Sequence, residues 1–259
     1  MEILMKTILS GLALAVGLTA PALGADAPLR APAPFGAAAS AYQWSGLYAG
    51  ISGGYGRGSA HQGMTTSAYQ GLGLYYGDVN ESLPANGGLI GATVGYNRQF
   101  DRFVLGLEAD FSLTGMKSHG QAPDGDIWVP GDRATQNWST TLNWLSTLRG
   151  RVGFTFDRFL VYATGGLAVG GVTDRTRLDY DDGAGGGFSA SDRSSKTHVG
   201  WTLGAGVEAA ITDRLTAKLE YLHVDLGTQT YRTDLRRILI HADAKVTADI
   251  VRAGLNYRF

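Results

Sequence analysis

A chain of 259 residues with a formal net charge of −1 lacks the basic surface that binding to nucleic acid requires. It contains no cysteine, so disulfide bonds, thiolate metal sites and cysteine nucleophiles are excluded. Only 17% of the residues are charged and 38 are glycine, whereas ordinary soluble domains have roughly 25% charged residues.

The N-terminus predicts a secretory signal peptide over residues 1–24. Lys6 supplies the basic residue, Ile8–Leu18 forms an apolar run, and Ala22 and Gly24 are the small residues that precede a cleavage site. The apolar run is too short to cross the roughly 30 Å of hydrocarbon in a bilayer. We therefore expect an exported protein whose mature part has no membrane-spanning helix.

Residues 25–45 are rich in alanine and proline, and we expect this leader in the periplasm. After it, the chain alternates between apolar and polar residues in eight segments. Successive side chains of a strand point to opposite faces, whereas an amphipathic helix repeats every 3.6 residues. The segments are Gly46–Arg57, Gly88–Phe100, Phe103–Gly115, Thr141–Phe156, Phe159–Val172, Val199–Ile211, Leu215–Gly227 and Thr247–Phe259. Pro84, Pro123 and Pro130 lie between segments, as paired strands require, because proline cannot donate to a β-ladder.

The third segment alternates most clearly, with Phe103, Leu105 and Leu107 on one face and Glu108 and Asp110 on the other. Alternation alone leaves the inner face open, because a soluble lipocalin-like barrel would turn its apolar face inward. Three features favour a barrel whose apolar face points outward. The segments are long enough to cross a bilayer, the polar face is rich in glycine, serine and threonine, and aromatic residues lie at the strand ends. The sequence predicts an all-β, eight-stranded antiparallel up-and-down transmembrane barrel over residues 46–259.

The connections between segments are of two kinds. Asp101-Arg102, Asp157-Arg158 and Thr212-Asp213-Arg214 are short and share an Asp-Arg pair, which we expect in the periplasm. Four other connections are predicted to be long external loops, near residues 58–87, 116–140, 173–198 and 228–246. Short turns on one side and long loops on the other are typical of outer-membrane barrels.

Eight charged residues fall on the predicted lumen face. They are Glu108, Asp110, Glu208 and Glu220 with Arg149, Arg151, Lys218 and Arg252. An unpaired charge in a narrow lumen is severely penalised, and eight strands leave an interior that side chains fill. We interpret the set as a self-neutralising plug, with a proton or ion path as the alternative. Counting from the turns predicts a contact between Glu108 and Arg151, or Arg149 if the shear of the barrel shifts it.

Several motifs together resemble a known family. They are WSGLYAGISGGYG at 44–56, GLEADF at 106–111, LRGRVGFTFDRFLVYATGGLA at 148–168, LEYLHVDLG at 219–227 and VRAGLNYRF at 251–259. This set resembles the porin-family, opacity-like surface antigens of Gram-negative bacteria, within the OmpA-like superfamily of eight-stranded barrels. The resemblance covers nearly the whole mature chain but not the long loops.

The resemblance implies a protein of the cell outer membrane with a structural or surface role and no enzymatic activity or cofactor. A small diffusion porin or uptake channel, and a surface binder of a ligand such as haem or an adhesin, are the alternatives. It also implies that Leu255, Tyr257 and Phe259 of the last strand form the signal read by the barrel-assembly machinery. We expect a monomer in contact with outer-membrane lipid and lipopolysaccharide.

Two further motifs are weak evidence for a binding site. Gly204–Ala209 fits the dinucleotide fingerprint G-x-G-x-x-A, but it lies inside a predicted strand with no helix after it. Asp179, Asp181 and Asp182 suggest a calcium loop, although the EF-hand spacing fails. We interpret these aspartates as a solvated acidic loop, and adventitious cation binding there stays open.

The five histidines never occur at a paired ligand spacing, so no metal site is predicted. A lipid-modifying hydrolase would need a serine, a histidine and an acid that converge near the rim. His198 with Ser194 or Ser195 is the candidate for such a set, and we do not favour it. No catalytic residue is therefore predicted.

Overall fold

The computed structural model describes residues 42–67, 79–121, 133–181, 183–235 and 238–259, which form a closed barrel of eight antiparallel strands in sequence order. The strands are β1 (Gly46–Ser67), β2 (Val79–Phe100), β3 (Phe103–Gln121), β4 (Arg133–Phe156), β5 (Phe159–Asp181), β6 (Gly187–Ala210), β7 (Leu215–Leu235) and β8 (Ile238–Arg258). The predicted barrel is confirmed. The expected signal peptide and residues 25–41 of the leader lie outside the described residues. No helix in the described part of the chain is long and apolar enough to cross a membrane.

Apolar side chains cover the outside of the barrel. Ile51, Ile90 and Leu107 on β1, β2 and β3 are at least 65% exposed, whereas Val104 and Arg149 point inward and are fully buried. Outward apolar residues are favourable only where hydrocarbon rather than water surrounds the barrel. The predicted apolar-out orientation is therefore confirmed.

Two of the three predicted Asp-Arg turns are two-residue hairpins with aspartate in the left-handed region. Asp101 has φ of 54° and Asp157 has φ of 52°, a conformation that aspartate tolerates better than most residues. The third is a longer bend over residues 211–214. Its Thr212 hydroxyl accepts a hydrogen bond from the backbone N–H of Leu215 at 3.0 Å. A side chain thus closes the turn that lacks the left-handed aspartate.

The strands are longer than the alternating segments, with 19 to 24 residues each. They occupy more than half of each stretch predicted as a long loop, so those loops are shorter than predicted. The prediction failed there because a strand beyond the bilayer meets water on its outer face. Its outward positions no longer have to be apolar, so a continuous apolar outward face no longer identifies the strand.

Beyond the membrane the barrel wall divides into two four-stranded sheets. Within the described residues, pairing of β2 with β3 ends at Asn86 and Lys117, and pairing of β6 with β7 ends at Trp201 and Asp225. The outer ends of β7, β8, β1 and β2 form the first outer sheet, and those of β3, β4, β5 and β6 form the second. Pro84 lies inside β2, contrary to the prediction that no strand contains proline. It is accommodated because β2 is an edge strand there.

A bulge changes which residues of β4 face the lumen. Strict alternation predicts that Leu142 and Trp144 both point outward. Pairing with β5 passes from Trp144–Gly171 to Leu142–Val172, so Asn143 is an extra residue in β4. Leu142 is only 5% exposed and packs inside the barrel, because one inserted residue exchanges the two faces of a strand.

Residues 42–45 belong to the barrel and not to the predicted leader. Tyr42 and Trp44 are buried, and their rings pack edge to face at 4.8 Å. The backbone N–H of Trp44 donates to the Gln99 side chain at 2.7 Å, and the hydroxyl of Ser45 accepts from the backbone N–H of Gln99 at 2.9 Å. Since Gln99 precedes the first turn, this segment fills the end of the lumen near the short turns, the end that we expect to face the periplasm.

Candidate functional site

The lumen holds a layer of charged side chains between two apolar layers. Along β3 the inward residues run from Val104 through Glu108 and Asp110 to Met116. The apolar layer near the short turns, which we call the periplasmic apolar layer after the expected orientation, consists of Tyr42, Trp44, Val104, Leu160, Tyr162 and Ala210. The external apolar layer consists of Leu89, Met116, Leu142, Leu145, Ala168, Val172, Leu222, Val224, Leu226, Val246, Ala248 and Ile250.

All eight charged residues predicted for the lumen lie in the middle layer, which we call the charged layer. Each is at most 5% exposed: Glu108, Asp110, Glu208, Glu220, Arg149, Arg151, Lys218 and Arg252. Four carboxylates thus face four cations. The layer is neutral as a whole when all eight groups are ionised, which is the condition under which buried charges are tolerated.

Glu108 is the carboxylate that contacts every cation of the layer. Its closest partner is the guanidinium of Arg149. The ammonium of Lys218 lies 3.2 Å from Glu108 Oε2, and the guanidinium groups of Arg252 and Arg151 lie at 3.7 and 3.8 Å. Because these cations come from β4, β7 and β8, one carboxylate ties together strands on opposite sides of the barrel.

Arg149 is the matching cation, and it contacts three of the four carboxylates. Besides Glu108, its guanidinium lies 2.8 Å from Asp110 and 3.1 Å from Glu220. The register pairs Glu108 with Arg149, whereas Arg151 stands opposite Gly106. The predicted Glu108–Arg151 contact is present at 3.8 Å, but Arg149, the named alternative, is the closer partner. The shear between β3 and β4 is the cause.

Arg151 lies closer to the periplasm, beside Glu208 and two tyrosines. Its guanidinium donates to Glu208 at 2.9 Å and to the hydroxyl of Tyr48 at 3.0 Å. The same guanidinium lies over the ring of Tyr162, 4.0 Å from the ring centroid. This cation–π contact adds to the pairing in a site without water competition.

The two tyrosines are members of the network that the sequence did not reveal. The hydroxyl of Tyr48 donates to Glu108 at 2.8 Å, and that of Tyr162 donates to Glu220 at 3.0 Å. Each ring lies over a glycine of the neighbouring strand, Tyr48 over Gly95 and Tyr162 over Gly206, and so reaches a carboxylate one strand farther on. A Cβ on Gly206 would lie 2.6 Å from Tyr162. Large aromatic residues on a lumen face otherwise rich in glycine are the signal that could have identified them.

Neutral polar side chains supply the remaining hydrogen bonds to the carboxylates. Thr147 donates to Asp110 at 2.6 Å, and Asn256 donates to Glu208 at 2.8 Å. Thr216 donates a further short hydrogen bond to Glu208. Because each carboxylate accepts several hydrogen bonds, the charged layer has the character of a packed polar core.

The candidate hydrolase residues are not brought together. His198 points inward, whereas Ser195 points outward and lies 3.0 Å from the hydroxyl of Thr173. Ser194 shares the inward face with His198, but about 13 Å of strand separates them. Gly204–Ala209 lies within β6, so the helix that a dinucleotide site needs does not follow it.

The aspartates near residue 180 make contacts within their own hairpin. Asp179 accepts from the guanidinium of Arg177 at 2.8 Å and from the hydroxyl of Ser189 at 2.6 Å. The hydrogen bonds from Arg177 hold the pKa of the Asp179 carboxyl below its ordinary value. Asp181 caps a backbone N–H of the turn, and Asp182 lies outside the described residues. Among described residues, no three histidines, aspartates or glutamates are grouped to hold a metal.

The predicted assembly-signal residues lie on the outer face of β8. Leu255 and Tyr257 are exposed on a strand that pairs with β1 on one side and β7 on the other. Phe259 is 73% exposed, its ring packs edge to face on Tyr257 at 5.4 Å, and its backbone N–H donates to Leu47 at 3.0 Å. The last residue is therefore held against β1, while its side chain remains available. Its role in assembly stays a prediction.

Comparison with known proteins adds sequence relatives to this geometry. A family model described as an outer membrane protein β-barrel domain matches residues 10–259. The 31 kDa outer-membrane immunogenic protein of Brucella melitensis is 35% identical over 246 residues, which are 92% of this chain and 93% of that protein. The 22 kDa outer membrane protein of Rhizobium leguminosarum is 29% identical over 74% of this chain and 68% of that protein. The crystal structure of OprG from Pseudomonas aeruginosa is 12% identical, with a TM-score of 0.46, over 84% of this chain and 99% of that chain.

Proposed function

Because the chain belongs to the outer membrane protein β-barrel domain family, we propose that it is a sealed barrel with a structural and surface role and without catalytic activity. It is a protein of the Gram-negative outer membrane, as its relatives are. We further propose that it acts as a monomer surrounded by outer-membrane lipid and lipopolysaccharide, after insertion by the barrel-assembly machinery.

The arrangement of the lumen in three layers supports the sealed state. An ion that crossed the barrel would have to enter the periplasmic apolar layer, pass the charged layer and leave through the external apolar layer. Transfer of a charge into an apolar environment is strongly unfavourable, and the charges between these layers already neutralise one another. The charged layer also opposes a proton path, because its carboxylates and cations are already paired with one another.

The absence of catalysis is supported by where the polar groups lie. The charged layer is enclosed, so a substrate has no access to its carboxylates. The histidine and serines nearest to the rim lie on opposite faces or far apart along β6. The outer sheets and their connections are the parts that reach the surroundings. Haem capture and adhesion, the alternatives that depend on external connections, concern residues 68–78, 122–132 and 236–237, which lie outside the described residues.

Planar-bilayer recording of the refolded full-length protein tests the proposal. We expect no steady conductance from the wild type, in a membrane where a general porin added as a positive control opens. A difference in gel mobility between unheated and heated samples should show that the inserted protein is folded. A reproducible open state in the folded wild type would refute the sealed barrel and favour the diffusion pore.

A further inference from the structure

The outward face of β6 changes its chemistry in an ordered way beyond the membrane. Trp201 and Val199 are 48% and 59% exposed and end the apolar belt. Thr197 and Ser195 follow on the same face, and then Arg193. Arg193 lies about 20 Å beyond Val199 along the strand, or about 15 Å farther from the hydrocarbon for a strand tilted by roughly 40°. Acyl chains, sugar hydroxyls and anionic groups follow one another in the same order in a glycolipid.

Arg193 stands directly opposite a second arginine. The register pairs it with Arg175 of β5, and both side chains are exposed. The neighbouring outward positions on β4, β5 and β6 contain no carboxylate: they are Asn137, Ser139, Thr141, Thr173, Arg177, Ser191 and Ser195. Like charges directly opposite one another in a ladder are destabilising. An anion placed between the two guanidinium groups would remove this repulsion and satisfy both.

Two other described cations on the outward face beyond the belt each have an acidic partner. Arg177, the next residue outward on β5, is paired with Asp179 at 2.8 Å. On the first outer sheet, Lys245 is paired with Asp225 at 3.1 Å. Arg193 also lies on the outer part of β6, where the described pairing with β7 has ended, since that pairing ends at Trp201. The arginine pair is thus accessible from the side as well as from the front.

We propose that Arg175 and Arg193 together bind a phosphate group of the lipopolysaccharide that surrounds the barrel. Two guanidinium groups can each offer paired N–H donors to phosphate oxygens, a geometry that arginine provides and lysine does not. The exposed side chains of Ser195 and Thr197 lie between this pair and the apolar belt, where the sugar of the glycolipid would pass. This inference rests on the proposed function and on the expected orientation, in which the outer strand ends lie outside the cell.

Binding of lipopolysaccharide to the refolded full-length protein in phosphatidylcholine vesicles, in buffer with EDTA, tests the inference. The variant Arg175→Ser/Arg193→Ser removes the site. The matched control Arg57→Ser/Lys245→Ser removes the same charge from the outward face of the first outer sheet. We expect the site variant to bind about tenfold more weakly per arginine removed, from the usual strength of charge-assisted hydrogen bonds, and the control to bind as the wild type does.

Two further ligands identify the group that is bound. Lipopolysaccharide treated with a phosphatase should bind the wild type as weakly as the untreated lipid binds the site variant. Inorganic phosphate at millimolar concentration should not compete, because a single anion lacks the contacts of the lipid. Competition by inorganic phosphate would show a free-anion site and overturn the assignment to the lipid. Equal affinity of wild type and site variant for intact lipopolysaccharide would overturn it altogether.

Folding and conductance keep this result separate from the proposed function. Both double variants replace exposed side chains, so their melting temperatures in vesicles without lipopolysaccharide should match the wild type. A barrel that conducts ions and still loses lipopolysaccharide binding in the site variant would refute the sealed lumen but leave the arginine site standing. A sealed barrel that binds lipopolysaccharide independently of these arginines would refute the arginine site but leave the sealed lumen standing.

Discussion

Replacing Arg149 with methionine is expected to destabilise the barrel more than any single exposed substitution. Methionine keeps an unbranched side chain of comparable length in the lumen but removes the charge and all donors. Glu108 and Asp110 then lose their closest cation, and Glu220 loses a contact at 3.1 Å. Four carboxylates face three cations, and removal of one partner from a buried ion pair costs about 3–5 kcal/mol in the free energy of unfolding.

A second change should restore part of that loss. In the variant Arg149→Met/Glu108→Gln, three carboxylates face three cations again. Lys218 and Arg252, which contact Glu108 at 3.2 and 3.7 Å, then compensate the acids that remain. Because the two residues belong to one network, the loss in the double variant should be smaller than the sum of the single losses by about 1–3 kcal/mol.

Urea unfolding in lipid vesicles, followed by tryptophan fluorescence and by gel mobility, measures these free energies. Arg214→Met is the matched control, because Arg214 is exposed at the periplasmic rim and should change stability by less than about 0.5 kcal/mol. Strictly additive losses, or an Arg149→Met variant as stable as the control, would show that the charged layer does not hold the barrel together.

Three shorter predictions follow from the fold. A protease site inserted at residue 185 should be cut on intact cells and one at Asp157-Arg158 should not, which immunoblotting reports; the opposite pattern would reverse the orientation. Deletion of Phe259 should lower outer-membrane levels in cells more than it lowers the melting temperature of the refolded barrel, because the side chain is exposed and only one backbone hydrogen bond, to Leu47, is lost; normal levels would contradict the assembly signal. Gly206→Leu should lower the melting temperature, because any side chain there collides with Tyr162; an unchanged melting temperature would contradict the packing of that ring.

The barrel itself could be predicted because lipid and lumen impose opposite demands on successive residues. Wherever a strand crosses the bilayer, its outward side chain must be apolar, as with Leu107, and its inward one must fit a narrow polar interior, as with Glu108. This requirement leaves a period of two in the sequence. This alternation alone predicts that all eight charged residues face the lumen, without knowledge of any contact between strands.

Partners within the charged layer could not be predicted in the same way. Alternation gives the face of a residue but not its height relative to a neighbouring strand, which depends on the shear of the closed barrel. Glu108 therefore meets Arg149 where counting from the turns favoured Arg151. Contacts across the lumen, such as that of Arg252 with Asp110 at 3.2 Å, depend on the lengths of two side chains and on the glycines that make room for them.

Alternation does not fade on β7 beyond the membrane; its sense reverses. Leu219 and Tyr221 point outward, but one step further the outward residue is His223, while Leu222 and Val224 point inward into the external apolar layer. Outside the bilayer the outer face meets water, and the lumen is then the place where apolar side chains are sheltered. The reversal between Tyr221 and Leu222 therefore shows where the outward face of β7 ceases to be apolar. A search for one fixed apolar face therefore finds weaker alternation along the predicted segment Leu215–Gly227.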